Sequence, residues 1–327
     1  MLLASDFSNR PADELAELLA HADMRVRKKV QFALVARGET DNLLAVACDG
    51  NHLMSRLHGI CGIAQAARAG DIDLAAPLIG LLNDDNPQVR AQAARMLGDV
   101  RYEPAAPELL PLLEDEHPRV KLFATEALGR IGHTAALEPI MEMVRAADGS
   151  DLYLRQAGAI ALSRLGDADA LSAYIEDPSV EVRTATLIAL KRLQSPHVVR
   201  FLQDEEEALV TDAARAINDE DFVEEGMTPL SRMLEQDRFT GEPLLRRAIN
   251  VSLFGGTAAD AGRLAEFALR DDITEELRVE ALATLAVGEE PSVLDRVSGR
   301  YRGSVTGVPH PARTGFKTRP RRSGAGS

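Results

Sequence analysis

The stretch DDNPQVRAQAARMLGDV (84–100) joins an acidic turn, a proline and a Val-Arg pair to an alanine-rich apolar run. A phrase that returns about every thirty residues is typical of helix-turn-helix repeats that stack on one another. Because neighbouring repeats complete each other's core, the function of such a chain is sought on a surface. Clear copies of the phrase lie at 115–132, 151–167 and 177–193, and weaker ones at 21–38, 52–70, 205–219, 241–256 and 274–288.

Alignment of the copies on their basic position sets the repeat length. Successive positions are 29, 34, 31, 34, 28, 28, 35 and 32 residues apart, which suits a pair of helices and is too short for three full helices. We therefore predict an all-α, right-handed α-α superhelix of about nine helix pairs over residues 1–290. The aligned residues are Arg27, Arg56, Arg90, Lys121, Arg155, Arg183, Thr211, Arg246 and Arg278.

The third repeat shows how the phrase encodes a helix pair. Residues 75–83 predict an amphipathic first helix, and the acidic turn predicts that the second helix starts at Pro87 or nearby. Side-chain oxygens of the turn can accept the free amides of the helix, and proline is tolerated in a first turn. Glycines near the helix ends predict left-handed C-terminal caps at Gly98, Gly129, Gly132 and Gly166.

The aligned basic group has a structural interpretation and a functional one. Early in each second helix it can reach the acidic turn of its own or an adjacent repeat, which predicts a ladder of charge-assisted contacts along the stack. The alternative is a direct role in binding a ligand. Thr211 carries no charge, so the ladder should be interrupted at the seventh repeat.

Charge is divided unevenly along the chain. The 327 residues include 37 Lys and Arg and 51 Asp and Glu, a formal net charge of -14. Eight of the basic residues and none of the acidic ones follow residue 295, which leaves a net charge of -22 on residues 1–295. Such an acidic body repels a phosphate backbone, so we expect no nucleic-acid binding by the array itself.

The C-terminal stretch 291–327 differs from the array. Past Arg302 it loses both apolar periodicity and acidic residues and becomes rich in Gly, Pro and Arg, a composition that favours disorder. Two explanations remain open. It is either a basic tail that contacts a partner or nucleic acid, or the product of a truncated or frame-shifted gene.

Targeting signals are absent from the sequence as it stands. No apolar run approaches the roughly 20 residues that a membrane-spanning helix needs. The first twenty residues have no basic n-region and no small-residue cleavage site after an apolar block, both of which a signal peptide would have. We therefore expect a soluble chain without a transmembrane segment, and the sequence leaves its compartment open.

The Asp-x-x-x-Val-Arg phrase with its turn proline resembles the HEAT repeat, particularly the short bacterial type, from residue 11 to about residue 290. This resemblance implies an α-solenoid. It leaves the activity open, since such solenoids serve as scaffolds, inhibitors, lyases and glycosylases.

A narrower resemblance is carried by five segments, 25–39, 54–68, 212–234, 242–268 and 277–303. In that order they resemble the HEAT region of secreted or membrane-bound dehydrogenases of planctomycete-type bacteria, where it lies between a β-propeller and a cytochrome c module. The resemblance implies a noncatalytic scaffold for a protein partner or for redox modules, and a periplasmic location for a full-length relative.

The chain matches only the middle of those proteins. It has no CxxCH motif, and Cys61 stands where the family pattern leads us to expect a bulky aromatic residue. No residue with quinone or haem chemistry can be carried over. We therefore assign no catalytic residue and no cofactor, and we expect no dehydrogenase activity from the chain alone.

One cluster contains residues of the ligand type. Cys48, His52, His58 and Cys61 lie within fourteen residues and could in principle close a tetrahedral zinc site. The alternative is ordinary packing, because the last two lie in a helix-like stretch and the first two flank a turn.

Other chemistries of this repeat class find less support. None of the seven histidines is followed by Glu, which argues against an iron site of the deoxyhypusine hydroxylase type. Net charge and the absence of Trp argue against a glycosylase that binds an extruded base. The alternative function is a lyase of the phycobilin type, whose site cannot be recognised from a short motif, or another enzyme that acts on a partner protein.

Overall fold

The computed structural model describes residues 6–219, 223–288, 290–303 and 307. Apart from an isolated antiparallel bridge between Leu294 and Tyr301, the regular structure of these residues is helical. Its α-helices are α1 (Ala12–Leu18), α2 (Met24–Ala36), α3 (Thr40–Asp49), α4 (Leu53–Ala69), α5 (Pro87–Val100), α6 (Ala106–Leu109), α7 (Pro118–Ile131), α8 (Leu137–Ala147), α9 (Leu152–Leu165), α10 (Ala168–Ser172), α11 (Val180–Arg192), α12 (Glu207–Asn218), α13 (Glu224–Ser231), α14 (Glu242–Gly255), α15 (Ala258–Ala268) and α16 (Glu275–Val287).

Short 3-10 helices replace or extend several first helices of the pairs, at Ile72–Asn83, Glu103–Ala105, Pro111–Glu114, Thr134–Ala136, Pro196–Gln203 and Arg232–Glu235. With them the described chain forms nine pairs. The second helices of these pairs are α2, α4, α5, α7, α9, α11, α12, α14 and α16. The predicted all-α fold of about nine repeated pairs is confirmed.

The third pair shows why the sequence folds this way. The Asn86 side chain accepts the Gln88 amide at 2.9 Å and caps α5, which begins at Pro87 as predicted. The first element of the pair is a 3-10 helix rather than the expected α-helix, and it contains Pro77. Proline has no N–H to donate and its ring crowds the preceding turn, so a regular α-helix is disfavoured there.

Two of the four predicted glycine caps are correct and two are wrong. Gly132 and Gly166 end α7 and α9 with φ of 82° and 77°. Gly98 and Gly129 instead lie inside their helices, where they are buried against the next second helix. The left-handed residue that ends α5 is Arg101, with φ of 56°.

The chain divides into two compact units, of which the first comprises Met1–Asp167 and Asp177–Ala189. Within it α2, α4, α5, α7 and α9 contact one another in that order. Its core consists mainly of Leu and Ala, with fully buried side chains such as Leu15, Leu34 and Leu97. Small core residues allow helix axes to approach closely, as the alanine-rich phrase predicts.

The second unit comprises Ala168–Glu176 and Leu190–Ser327. Its second helices α12, α14 and α16 also contact in order, and its core includes the fully buried Phe201 and Phe267. No helix among the residues that the structure describes has the length and apolar character needed to cross a bilayer.

Residues 290–303 belong to this second unit and contact its helix α14. Asp295 is buried, accepts from the Asn250 amide at 2.8 Å and pairs with Arg302 at 3.2 Å. The predicted boundary at residue 290 therefore falls before a segment that shares the polar core of the unit. The remainder of the predicted tail, 304–306 and 308–327, lies outside the described residues.

Candidate functional site

The aligned arginines reach two kinds of acceptor, and Arg90 contacts both. Its Nη1 donates to the Asp84 carbonyl at 2.8 Å, while its Nε and Nη2 donate to the Asp115 carboxylate at 2.8 and 3.0 Å. Arg56 similarly pairs with the Asp84 carboxylate and donates to the Ala47 carbonyl at 2.9 Å. One guanidinium thus binds a turn of its own repeat and the acidic turn of the next.

The other aligned arginines make part of this pattern. The Glu181 carboxylate accepts from Arg155 at 2.8 Å, and Arg246 forms an ion pair with Glu242 of its own helix at 2.7 Å. Main-chain carbonyls that precede the helix accept from Arg27, Arg183 and Arg278. These contacts hold the guanidinium groups against the fold of the chain itself.

Lys121 and Thr211 differ from the rest of the set. Within the described ranges the Lys121 ammonium has no ion pair, and Thr211 has no charge to offer. In the repeat that contains Thr211, a different contact links α12 to the turn before α14. The Glu207 carboxylate accepts the Gly241 amide at 2.9 Å.

The four candidate zinc ligands lie in separate environments. Cys48 is exposed in α3, and His52 is the residue before α4. His58 contacts Gln31 at 2.8 Å, and burial lowers the pKa of its imidazole. Cys61 accepts from Gln92 at 3.0 Å. No group of three or more His, Cys, Asp or Glu suited to a metal ion occurs among the described residues.

Positive charge is concentrated on the second helices of the first unit. α5, α7 and α9 together contain seven Lys or Arg and two Asp or Glu. The connecting stretches 101–117 and 132–151 contain two Arg and nine Asp or Glu. A chain of net charge -14 therefore presents a local cationic surface along these three helices. We call this surface the cationic face and define it by Arg95, Arg101, Arg119, Phe123, Arg130 and Arg164.

Phe123 lies between two guanidinium groups on this face. The Cζ atom of Arg119, one turn earlier in α7, is 5.1 Å from the ring centroid, and that of Arg95 in α5 is 5.4 Å away. Both distances lie within the range of cation–π attraction, which extends to about 6 Å. The ring is half-buried and contacts two charges on neighbouring helices.

Arg130 is oriented by two carboxylates. It pairs with Asp99 of α5 and, at 3.2 Å, with Glu126 one turn earlier in its own helix. Asp99 also lies 4.0 Å from Arg95. The two acidic residues of the three helices therefore hold the arginines in position, and positive charge remains in excess.

A groove of about 440 Å³ crosses the C-terminal ends of the same helices. Arg101, Arg130 and Arg164 line it together with Asp99, and glycines supply much of the remaining surface. Among the described residues the Arg101 side chain has no hydrogen-bond or ion-pair partner. The groove is thus a polar depression, and the long cationic side chain of Arg101 lies at its edge.

The family comparison fits this repeated geometry. Residues 75–163, which contain the cationic face, match the family of HEAT repeats. The chain contains HEAT repeats. No match was found among curated protein sequences.

Two solved structures contain chains that are similar to this one. One chain of a structure of Kap95p with RanGDP aligns with a TM-score of 0.51 at 9% identity, covering 84% of this HEAT-repeat chain and 44% of that chain. A chain of the complex of CpcE and CpcF of phycocyanin lyase from Nostoc sp. PCC7120 aligns with a TM-score of 0.40 at 18% identity. The alignment covers 76% of this chain and 96% of that chain. At these identities the likeness concerns the fold alone.

The cationic face of the HEAT repeats can bind acidic groups. Guanidinium groups form paired hydrogen bonds with carboxylates, and Phe123 adds an apolar contact between two of them. Sequence reasoning concentrated on the aligned arginines and missed this face. The signal lay further along the same second helices. Arg95 follows the aligned Arg90 by five residues, and Arg130 and Arg164 follow the aligned Lys121 and Arg155 by nine. These spacings place the three arginines on one side of their helices.

Proposed function

We propose that the protein is a noncatalytic HEAT-repeat scaffold that binds an acidic segment of a protein partner on the cationic face. The observation that carries the proposal is the segregation of charge between second helices and connecting stretches. Arginine on exposed positions of several consecutive helices offers a series of equivalent sites to one extended chain. The HEAT repeats themselves are typical of surfaces that bind proteins.

The geometry favours a carboxylate-rich peptide over a point ligand. Arg95 and Arg119 flank Phe123, and Arg130 with Arg164 continues the positive charge toward the groove. A peptide with alternating acidic and apolar side chains can satisfy both features. The acidic stretches around the face repel long polyanions, so nucleic acid is the weaker candidate.

The direct test measures binding of a fluorescein-labelled peptide of alternating Glu and Leu by fluorescence anisotropy. We expect Arg95→Gln with Arg119→Gln to weaken binding roughly tenfold, because two charge-assisted contacts are removed. The matched control is Arg25→Gln, which removes an exposed arginine of α2 outside the face. Equal affinity of both variants and the parent would contradict the proposal.

Two further probes separate other functions. A single-stranded DNA oligonucleotide that binds more tightly than the peptide would assign the face to nucleic acid. A new absorption band after incubation with a bilin or haem would indicate the lyase alternative, because a scaffold gives no such band. We expect neither result.

A finer proposal concerns the setting of the scaffold. We propose that the array is related to the HEAT region of periplasmic sugar or sorbosone dehydrogenases and holds redox modules apart. This proposal rests on the sequence segments that resemble the HEAT region of those dehydrogenases, such as 25–39 and 277–303. Genomic DNA on both sides tests it: a propeller-coding stretch upstream and CxxCH downstream are expected, and their absence in all frames would argue against it. The isolated chain should not reduce dyes with sugars.

A further inference from the structure

The seventh repeat breaks the apolar pattern of the second helices. Seven residues after the aligned position it has Asn218, the last residue of α12, whose side chain is fully buried. The other eight repeats have a buried leucine or isoleucine at this position, namely Leu34, Ile63, Leu97, Leu128, Leu162, Leu190, Leu253 and Leu285. A buried amide destabilises a core unless its polar atoms find hydrogen-bond partners. The exception therefore requires a polar partner that the other repeats do not need.

That partner is supplied in part by residues 293–302, which we call the C-terminal hairpin. Asn250 of α14 is 2% exposed and donates both to the Asn218 side-chain oxygen at 2.7 Å and to the Asp295 carboxylate at 2.8 Å. Arg302 donates to the Asn218 carbonyl and pairs with Asp295 at 3.2 Å. Two buried amides on neighbouring helices and two residues of the hairpin therefore form one polar network.

The hairpin has hydrogen bonds of its own and a third point of attachment. Its Asp295 amide donates to the Arg300 carbonyl at 2.7 Å, which holds its two arms together. From the same hairpin Arg296 donates to the Thr284 hydroxyl of α16 at 2.9 Å. Hydrogen bonds thus link the hairpin to three second helices of the second unit, α12, α14 and α16. It lies against them as an extended peptide ligand would.

The attachment of the hairpin is polar. The structure describes all of its residues, and none of its apolar side chains is buried. Val293, Leu294 and Tyr301 are exposed, and Val297 is half-buried. Segments with few buried apolar contacts open at a lower free-energy cost than the helices of a core. The hairpin can therefore leave α12, α14 and α16 without unfolding them.

The network beneath the hairpin retains an unused acceptor. The Asn250 side-chain oxygen is buried and has no hydrogen-bond partner among the described residues. Buried polar atoms in folded proteins nearly always have a partner, so this oxygen marks a place for a further donor. The hairpin is thus an incomplete ligand. A peptide that presents a carboxylate to the Asn250 amide and an additional N–H to its oxygen would satisfy the side chain fully.

We propose that the C-terminal hairpin is an intramolecular ligand that covers a peptide-binding surface on α12, α14 and α16, and that a segment of a partner protein replaces it. The partner segment presents a carboxylate to the Asn250 amide, as Asp295 does. It also presents an arginine to the Asn218 carbonyl, as Arg302 does. Its extra donor to the Asn250 oxygen offsets the advantage that the hairpin has from being tethered. The surface is independent of the cationic face, so each proposal can fail without the other.

Hydrogen exchange of the unmodified full chain, followed by mass spectrometry, tests whether the hairpin detaches. We expect the hydrogen-bonded amides of Asp295 and Arg302 to exchange at least about tenfold faster than those of α14, because the hairpin opens while the helix stays folded. Exchange of the hairpin and of α14 at the same rate would show that they unfold together, and it would overturn the proposal.

Replacement in trans is tested with a fluorescein-labelled peptide of residues 291–303, whose binding to the full chain is measured by fluorescence anisotropy. We expect the peptide to bind Asp295→Ala at least about tenfold more tightly than the parent, because the variant weakens the competition from its own tethered hairpin. Asp271→Ala is the matched control. It removes an exposed carboxylate before α16 and should bind the peptide like the parent. The peptide with alanine in place of Asp295 should bind none of these chains, although it is more basic.

Two further variants locate the surface and guard against a failure of folding. Asn250→Leu combined with Asp295→Ala should abolish peptide binding, because the receptor amide is lost. Arg302→Gln loosens the hairpin at its contact with α12 and should act in the same direction as Asp295→Ala, so one cooperatively melting variant suffices. Equal affinity of the parent and these single variants for the peptide would overturn the proposal. Concentration-dependent dimers of the parent in sedimentation velocity would also overturn it, since the hairpin would then exchange between copies of this chain.

Discussion

Gly98 of α5 lies so close to Ala127 of α7 that a Cβ built on the glycine would stand 2.5 Å from the alanine Cα. The contact recurs one repeat later, where a Cβ on Gly129 would stand 2.6 Å from the Ala161 Cα. Real Cβ atoms do not approach other atoms this closely in packed interiors. The two glycines therefore set the spacing of three second helices, and this spacing brings Arg95 to Phe123.

Replacement of Gly98 by alanine tests this spacing. Alanine favours a helix by about 1 kcal/mol over glycine, but overpacking typically costs 1–3 kcal/mol. The backbone of Ala127 is the obstacle and cannot rotate away, so we expect Gly98→Ala to lower the free energy of unfolding. Urea denaturation followed by circular dichroism measures the change. Gly80→Ala is the control, because a Cβ there meets nothing within 4 Å, and an equal effect of both changes would contradict the prediction.

The Arg90 and Asp115 pair should contribute measurably to stability. Both side chains are largely buried, with 12% and 7% of their surfaces exposed. Removal of one partner from a buried pair leaves an uncompensated charge, so Arg90→Ala should cost about 2–4 kcal/mol. Arg25→Ala should cost less than about 1 kcal/mol, because Arg25 and Asp23 form an exposed pair. Similar denaturation midpoints for the two variants would show that the ladder does not stabilise the fold.

The same pair predicts a dependence of stability on pH. Burial alone would raise the pKa of Asp115, but hydrogen bonds from Arg90 and from the His117 amide outweigh it, and the pKa lies below its usual value. The stabilisation is therefore complete above the unfolded pKa of about 3.9 and is lost as the pH falls through the folded pKa. The stability gap between the parent and Asp115→Asn should be constant from pH 7 to pH 5 and narrow in stronger acid. A gap that widened on acidification would contradict this sign.

We expect Arg101 to lower the free energy of unfolding of the protein and to strengthen its binding of the Glu-Leu peptide. It occupies the left-handed position where α7 and α9 have Gly132 and Gly166. A non-glycine residue in that conformation costs roughly 1 kcal/mol, so Arg101→Gly should raise the free energy of unfolding by a similar amount. The same change should weaken binding of the Glu-Leu peptide, because the groove loses one guanidinium. A variant that is stabilised and binds as tightly as the parent would exclude a role for Arg101 in recognition.

We expect Asp295 to anchor residues 290–303 to α14 of the second unit. Burial by itself would raise the pKa of this carboxyl. Hydrogen bonds, among them those from the Ser298 amide and the Asn250 side chain, outweigh burial, so the pKa lies below its usual value. Asp295→Ala would remove one buried partner from Arg302 and one from Asn250, at a cost of about 3–5 kcal/mol. Hydrogen exchange of α14 should accelerate. Asp271→Ala, an exposed carboxyl before α16, is the control and should leave the exchange unchanged.

Local sequence signals correctly predicted the repeat, the start of α5 and two helix ends. Pro87 begins α5 because a proline in a first turn sacrifices no hydrogen bond, and the acidic turn before it supplies the cap. Gly132 and Gly166 cap their helices for an equally local reason, since glycine adopts the left-handed conformation at little cost. These features depend on a few consecutive residues, which is why they can be identified without a structure.

The glycines inside α5 and α7 show where sequence reasoning ended. Gly98 looks like a cap in the sequence, but its place is set by a neighbour 29 residues away that leaves no room for a Cβ. The cationic face and the exposed apolar side chains of α16, such as Val279 and Leu282, depend on the tertiary structure in the same way. Spacing assigns residues to one side of a helix, whereas the neighbouring helices decide which side stays exposed.

The sequence by itself determined the period, the helix pairs and the composition of an alanine- and leucine-rich core. Only the tertiary structure decided that Arg95 and Arg119 meet at one ring, that Asp295 is buried beside Arg302, and that Val279 and Leu282 remain exposed. The physical reason is that helix formation is governed by contacts within about four residues. The chemistry of a repeat surface arises between residues about thirty positions apart, and those meet only when the repeats stack.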